Sequence, residues 1–171
     1  MKEDIALDYP LELEAVAEMD YETERNKPMP NRLHGTLQNR IGSILNVEYG
    51  DRYEFPTEVS LEMRPGTTPD ICVYPIKAFF DPFDTPAKEP EMPLTTIEII
   101  SPSQSFDEIV RKIRKSYFPS GIQSAWLVVP TLKGIHLFLP DRHDLYFNSG
   151  MLTDPATGIQ ISVDKIFERV I

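Results

Sequence analysis

Two segments of the chain place apolar residues at helical spacing. From Leu33 to Leu45 apolar residues recur every three or four positions, which predicts a helix over about residues 32–47 with Asn31 as its N-cap. The same spacing predicts a second helix over about residues 106–118. The polar positions of this second helix are rich in basic side chains, namely Arg111, Lys112, Arg114 and Lys115.

The segments between and after these helices have the patterns of β-strands. Alternation of apolar and acidic residues predicts a strand within residues 53–63, and short apolar runs predict strands at 70–74, 95–100 and 125–129. A turn and a loop separate the first three strands, whereas a helix separates the third from the fourth. We therefore expect an α/β fold whose mixed central sheet contains an antiparallel meander and one parallel pair, flanked by helices.

Length and composition fit one globular domain. The 171 residues are 41% hydrophobic and 26% charged, and we expect a single domain over 1–171, with an acid-rich extension over 1–24 and a core over about 25–140. Neither a secretory signal nor a membrane-spanning apolar run is visible, which predicts a cytoplasmic protein that does not bind a membrane. The net charge of −10 argues against a strongly basic, non-specific nucleic-acid binder.

Two of the predicted strands carry a carboxylate among β-branched neighbours. Asp70 begins the run TPDICVY, and Glu98 lies within TTIEIISP. Burying an ionised acid is unfavourable unless a positive partner compensates its charge, and a divalent cation is one such partner. The pair therefore indicates metal-dependent phosphodiester chemistry, although the bare residues equally allow both acids to lie at strand ends in water.

This arrangement resembles the PD-(D/E)XK restriction endonuclease-like superfamily, and more closely its Uma-two type family of putative restriction endonucleases. The resemblance implies an αβββαβ core with a β-rich C-terminal extension, and it covers roughly residues 20–140. The residues that carry it are His34-Gly35, Pro69-Asp70, the IEIISP run at 97–102, the basic helix over 106–118 and the run YFPSGIQSAWLVVP at 117–130.

By this resemblance the protein would be a magnesium-dependent endodeoxyribonuclease, a hydrolase that cuts DNA. Asp70, Glu98 and the backbone carbonyl of Ile99 would be the ligands of Mg²⁺ or Mn²⁺. Nucleases that cut both strands of a duplex commonly act as symmetric pairs, so we also expect a homodimer. Its apolar contributors would be Phe79, Phe80 and Phe83.

The lysine of the (D/E)XK motif is missing, because Ile100 stands at its position. In the Uma-two type family a lysine four residues before a tyrosine replaces it, whereas here Lys112 lies five residues before Tyr117 and Arg114 three before it. At about 100° per residue, neither basic side chain points straight at the sheet. A one-residue π-bulge would turn Lys112 inward, so we expect Lys112 to be the catalytic lysine, with Arg114 as the alternative.

Three further residues are candidates for an accessory role. Glu58 could be a third acid near the metal, and His34 and Gln38 could approach the site from the first helix. A second class of function also stays open, namely a non-catalytic DNA- or protein-binding assembly domain that keeps the nuclease-like fold. Both Ile100 and the net charge of −10 favour that alternative.

Overall fold

The computed structural model describes residues 29–171, in which a six-stranded mixed sheet has helices packed on both faces. The expected extension over 1–24 lies outside these described residues. In chain order the elements are α1 (Arg32–Tyr49), β1 (Tyr53–Glu54), β2 (Ile71–Pro75), β3 (Thr95–Ile99), α2 (Phe106–Lys112), a π-helical segment (Ile113–Tyr117), a 3-10 turn (Phe118–Ser120), β4 (Ser124–Val129), a second 3-10 turn (Pro130–Leu132), β5 (Gly134–Phe138), β6 (Leu145–Phe147), β7 (Met151–Thr153), β8 (Gln160–Ser162) and α3 (Val163–Ile166).

The strand order of the main sheet is β1-β2-β3-β4-β5-β6, the same as the order along the chain. All neighbouring pairs are antiparallel except β3 and β4, which run parallel because α2 and the π segment form the crossover between them. The predicted meander, the predicted parallel pair and the predicted fold class are therefore confirmed. Residue Ile97 at the centre of the sheet faces Ile71 on one side and Trp126 on the other.

Two hydrophobic cores cover the two faces of the sheet. On one face α1 buries Leu37, Ile41 and Leu45 completely, as its helical spacing predicted, and its N-cap Asn31 accepts a hydrogen bond from the backbone N–H of His34. On the other face the crossover helix buries Ile109, Ile113 and Tyr117. Each such aliphatic side chain stabilises the fold by about 1.5–3 kcal/mol.

The prediction of a strand through residues 57–63 is wrong. Regular pairing stops after Tyr53–Glu54, and only isolated bridges at Thr57 and Leu61 follow. The reason is local, because Glu58 has a φ of 57°, in the left-handed region that breaks an extended backbone. The apolar and acidic residues alternate in this segment although it is not a strand, and its residue Leu61 is still buried.

The second predicted helix is three kinds of helix in succession. Regular α-helix ends at Lys112, the π segment covers Ile113–Tyr117, and a 3-10 turn completes the crossover. The β7–β8 hairpin was not predicted, and the short helix α3 follows it. Within residues 29–171 no helix is long and apolar enough to cross a membrane.

Candidate active site

The two candidate carboxylates lie side by side at one end of the β2–β3 pair. The antiparallel register joins Ile71 to Ile97, so its continuation by one residue places Asp70 opposite Glu98. Both side chains are buried, with 1% of Asp70 and 2% of Glu98 exposed. The two acids therefore occupy neighbouring positions in the sheet, away from bulk water.

Asp70 is held by donors from two different elements. Its Oδ2 accepts a hydrogen bond of 2.7 Å from the backbone N–H of Ile99 and contacts Nε2 of His34 at 3.1 Å. A His34 ring protonated at Nε2 would donate to this oxygen, as the backbone N–H of Ile99 does. The other ring nitrogen of His34, Nδ1, is buried and has no hydrogen-bond partner within residues 29–171.

Glu98 has its own pair of donors, and both come from the crossover helix. Its Oε1 contacts Nζ of Lys112 at 2.9 Å and accepts a hydrogen bond from the hydroxyl of Tyr117. Burial first, and then the charge of Glu98, raises the pKa of Tyr117 well above its usual range. Tyr117 is therefore a neutral phenol that donates to Glu98, and its oxygen lies 3.1 Å from Oγ1 of Thr67.

The π segment explains how Lys112 reaches this position. In a continuous α-helix Lys112 would lie roughly 120° away from the buried stripe that contains Tyr117. The wider winding of Ile113–Tyr117 accommodates one extra residue, a change of about 100°, so that Lys112 and Tyr117 both face Glu98. The bulge that the sequence required is present, and the Lys112 ammonium lies 5.4 Å from the centre of the Tyr117 ring.

Arg114, the alternative to Lys112, points elsewhere. Its guanidinium donates to the backbone oxygen of Leu139 and to the carboxylate of Asp144, and it lies 5.2 Å from the Phe118 ring. These contacts hold it against the end of β5 and the loop that follows. The structure thus joins Lys112, but not Arg114, to the buried acids.

Glu58 and Gln38 form a second layer beside Asp70. The amide of Gln38 donates to the backbone oxygen of Asp70 at 2.9 Å and to Oε1 of Glu58 at 3.2 Å. The backbone N–H of Glu58 lies 3.3 Å from the same Asp70 oxygen. A non-glycine residue in the left-handed region costs about 1–3 kcal/mol, and such strain often occurs at functional sites. All three accessory candidates therefore lie next to Asp70.

The donor set suits a hard divalent cation. Two carboxylates and a backbone carbonyl, that of Ile99, offer only oxygen ligands, and Mg²⁺ commonly takes one or two carboxylates and completes its shell with water. Residues 29–171 contain no group of three or more His, Cys, Asp or Glu side chains placed to hold a metal ion. Asp70 and Glu98 are therefore the two acidic side chains that could contribute to such a site.

Comparison with known proteins now identifies the family. The model of the Uma2 family, described as "Putative restriction endonuclease", matches residues 9–163. The chain belongs to the Uma2 family. Solved structures similar to this Uma2 protein include that of a "putative nuclease" from Anabaena variabilis, with 23% sequence identity and a TM-score of 0.71. The similarity covers 84% of this chain and 85% of that one, which supports the restriction endonuclease-like fold. None of the curated proteins matches the sequence at a significant level.

Sequence reasoning missed two partners of the candidate site in this Uma2 protein. Tyr117 is fully buried like an ordinary core aromatic, but its hydroxyl is bonded to Glu98. Thr67, which contacts that hydroxyl, carried no signal of its own. Tyr117 follows the basic run of the crossover helix, which packs on the strand that carries Glu98. This position was the one sequence feature that could have indicated a hydrogen bond between Tyr117 and Glu98.

Proposed function

We propose that this Uma2 protein is a metal-dependent endonuclease that hydrolyses phosphodiester bonds of DNA. Asp70 and Glu98 would bind the metal, and Lys112 would replace the motif lysine that Ile100 removes from β3. The observation that carries the proposal is the 2.9 Å contact between the Lys112 ammonium and Glu98. Lys112 belongs to the crossover helix, and the π segment that follows it turns its side chain toward Glu98. Membership of a family of putative restriction endonucleases supports the same chemistry.

Asp70, Glu98 and the carbonyl of Ile99 would hold Mg²⁺ or Mn²⁺. When bound, the metal would lower the pKa of a water molecule and stabilise negative charge on the phosphate. The chain itself supplies the positions of its ligands. The N–H of Ile99 fixes Asp70, and the neutral phenol of Tyr117 fixes Glu98. Preorganised ligands of this kind need no rearrangement at the moment of reaction.

Lys112 would act on the reacting groups themselves. Its ammonium lies beside the Glu98 carboxylate, and its side chain is only 13% exposed, so its charge is weakly screened by solvent. From this position it can orient the attacking water or donate a hydrogen bond to the phosphate as negative charge develops there. In this role Lys112 on the crossover helix would replace the motif lysine, whose position is occupied by Ile100.

The test is cleavage of supercoiled plasmid DNA by the purified full-length chain with Mg²⁺ or Mn²⁺. We expect nicked and linear products from the wild type, and none from Asp70→Asn or Glu98→Gln. Lys115→Ala, an exposed basic residue of the same helix, is the matched control and should retain activity. If no nucleic acid is cut with any divalent metal, the nuclease proposal fails and the non-catalytic binding domain becomes the better account.

We further propose that the active form is a homodimer. Phe79, Phe80 and Phe83 are largely exposed in one loop after β2, and exposed apolar clusters often mark protein interfaces. A second copy of the chain would cover them. Light scattering should give twice the monomer mass for the wild type and a lower mass for Phe79→Ser/Phe83→Ser. A monomeric wild type at working concentration would remove this part of the proposal.

A further inference from the structure

A cavity of about 520 Å³ opens beside the candidate active site, beyond the ends of β3 and β4. Two residues connect the cavity with the site. His34 contacts Asp70 and also lines the cavity, and Ile100, which replaces the motif lysine, forms part of its wall. Any chain of nucleotides whose phosphate reaches Asp70 and Glu98 therefore has this cavity as its immediate neighbour.

The walls of the cavity are mainly apolar, with a few polar groups at the edge. Leu33, Phe106 and Leu132 remain partly exposed there, which is unusual for large apolar side chains unless something covers them. The side-chain oxygens of Asn31 and Gln104 already accept hydrogen bonds from the backbone N–H groups of His34 and Ser101, which leaves their amide nitrogens as donors beside these apolar surfaces. An apolar pocket with a few polar groups is the common form of a site for a flat, partly polar ring.

Charge excludes a phosphate as the occupant. The residues that line the cavity include no lysine or arginine, and the whole chain carries a net charge of −10. A phosphate there would lose its hydration without gaining a cation, which is unfavourable. Duplex DNA offers mainly its charged backbone, whereas unpaired strands also expose bases that can stack on aromatic side chains.

Phe106 is the side chain best placed for such stacking. It is the first residue of α2, and its ring is held edge-on by His136 with ring centres 5.1 Å apart. About 38% of Phe106 is exposed, so a free surface remains at the cavity. A ring that is already fixed by a neighbour loses little conformational freedom when a base stacks on it.

We infer that the cavity receives an unpaired nucleobase adjacent to the phosphate bound at Asp70 and Glu98. The substrate class is therefore single-stranded DNA, or a duplex that opens locally at the phosphate to be cut. This inference rests on the proposed nuclease function, because that function places the phosphate. The base would contact Phe106 and Leu132 with its apolar face and the polar atoms of Asn31 or Gln104 with its edge.

The test measures binding apart from cleavage. Fluorescence anisotropy with a short labelled oligonucleotide, in an Asp70→Asn background that should not cut, compares the single strand with its duplex. We expect the single strand to bind about tenfold more tightly or better. Phe106→Leu keeps apolar bulk but removes the ring, and it should weaken single-strand binding about five- to tenfold. Leu132→Ala, at an exposed position, should weaken it by a smaller factor.

A set of oligonucleotides, each lacking the base at a different position, identifies the base that enters the cavity. Loss of that one base should weaken binding by the same factor as Phe106→Leu. Combining the abasic site with Phe106→Leu should weaken binding no further. Val47→Ala removes an exposed apolar side chain of α1 that does not line the cavity and is the control. Equal affinity for single strand and duplex, or equal effects of Phe106→Leu and Val47→Ala, would overturn the inference.

The results also separate this inference from the proposed function. If plasmid DNA is cut but Phe106→Leu has no effect on binding, the cavity assignment fails while the nuclease stands. If ring-dependent binding of single strands is found but no metal supports cleavage, the cavity assignment stands and the nuclease fails.

Discussion

Asp154 and Glu98 are both buried carboxylates of one domain, but their partners differ in kind. Oδ2 of Asp154 accepts hydrogen bonds from the side chains of Thr95, Ser124 and Trp126, at 2.9, 2.8 and 3.1 Å. Its Oδ1 accepts from the backbone N–H of Ala156. All four donors are neutral, and they tie the β7 end to the first residues of β3 and β4.

Glu98 lies near the other end of β3 and is bonded to side chains that can change or move charge. Lys112 carries a positive charge, Tyr117 is a phenol, and the neighbouring Asp70 contacts an imidazole. Lys112 is also partly open to solvent, and a cavity adjoins the site. The comparison teaches that burial of an acid does not by itself mark a functional site. The chemistry of its partners and its access to a ligand do.

Removing the charged partner of Glu98 should have the largest effect. We expect Lys112→Ala to reduce DNA cleavage by a factor of roughly 10²–10⁴, because a positioned proton donor contributes about that much. The variant should lose some stability because the buried Glu98 loses its cation, but the Tyr117 hydroxyl still donates to Glu98 and both hydrophobic cores are unchanged, so the protein should still fold. Steady-state cleavage with circular dichroism checks both points.

Two other basic residues of the same helix serve as controls for that variant. Lys115→Ala should leave the rate near that of the wild type. Arg114→Ala should cost stability through its contacts to Leu139 and Asp144 but have a much smaller effect on cleavage per folded molecule. Full activity in Lys112→Ala would show that the migrated lysine is not part of the mechanism.

Removing Asp154 should give the opposite result, a loss of stability without a loss of chemistry. Asp154→Ala leaves the buried Nε1–H of Trp126 and one of the hydroxyl donors of Thr95 and Ser124 unsatisfied, at about 1–3 kcal/mol each. The other hydroxyl can still donate across the 2.6 Å between the two oxygens. We expect the free energy of unfolding to fall by about 3 kcal/mol or more in urea titrations. Asp141→Ala, which changes an exposed acid, should alter it little. Unchanged stability in Asp154→Ala would contradict the structural role.

Tyr117→Phe should produce a smaller effect that depends on pH. The variant removes one hydrogen bond to Glu98 and one to Thr67, at about 1–2 kcal/mol in total near neutral pH. The pKa of Tyr117 is raised in the folded state, so its contribution is fully present below its ordinary pKa of about 10 and is lost as the pH rises above it. Wild type should therefore lose stability faster than Tyr117→Phe above that pH. Parallel alkaline unfolding curves would contradict this expectation.

The sequence predicted the frame of the candidate site because its signals are local. Helical spacing located α1, apolar runs located β2 and β3, and the crossover helix implied the parallel pair. A π-bulge was expected on the condition that Lys112, rather than Arg114, faces the sheet, and the structure has a π segment directly after Lys112.

The remaining features depend on the tertiary structure and have no local signature. Glu58 disrupts the expected strand through a left-handed backbone angle that a glutamate seldom adopts. Asp154 lies in a turn of the β7–β8 hairpin, and its donors come from residues about thirty positions or more away. The cavity beside His34 likewise combines residues from α1, the β3–α2 loop and the end of β4.

The most direct test of the central claim is the change in thermal midpoint when Mn²⁺ is added to the metal-free protein. A ligand that binds only the native state raises the midpoint, by about 2–4 °C for each kcal/mol in a domain of this size. We predict a rise of a few degrees for the wild type and none for Asp70→Asn, whose metal-free form should be at least as stable because one of two neighbouring charges is gone. An Asp70→Asn protein that responds to Mn²⁺ as fully as the wild type would contradict the assignment of Asp70 as a metal ligand.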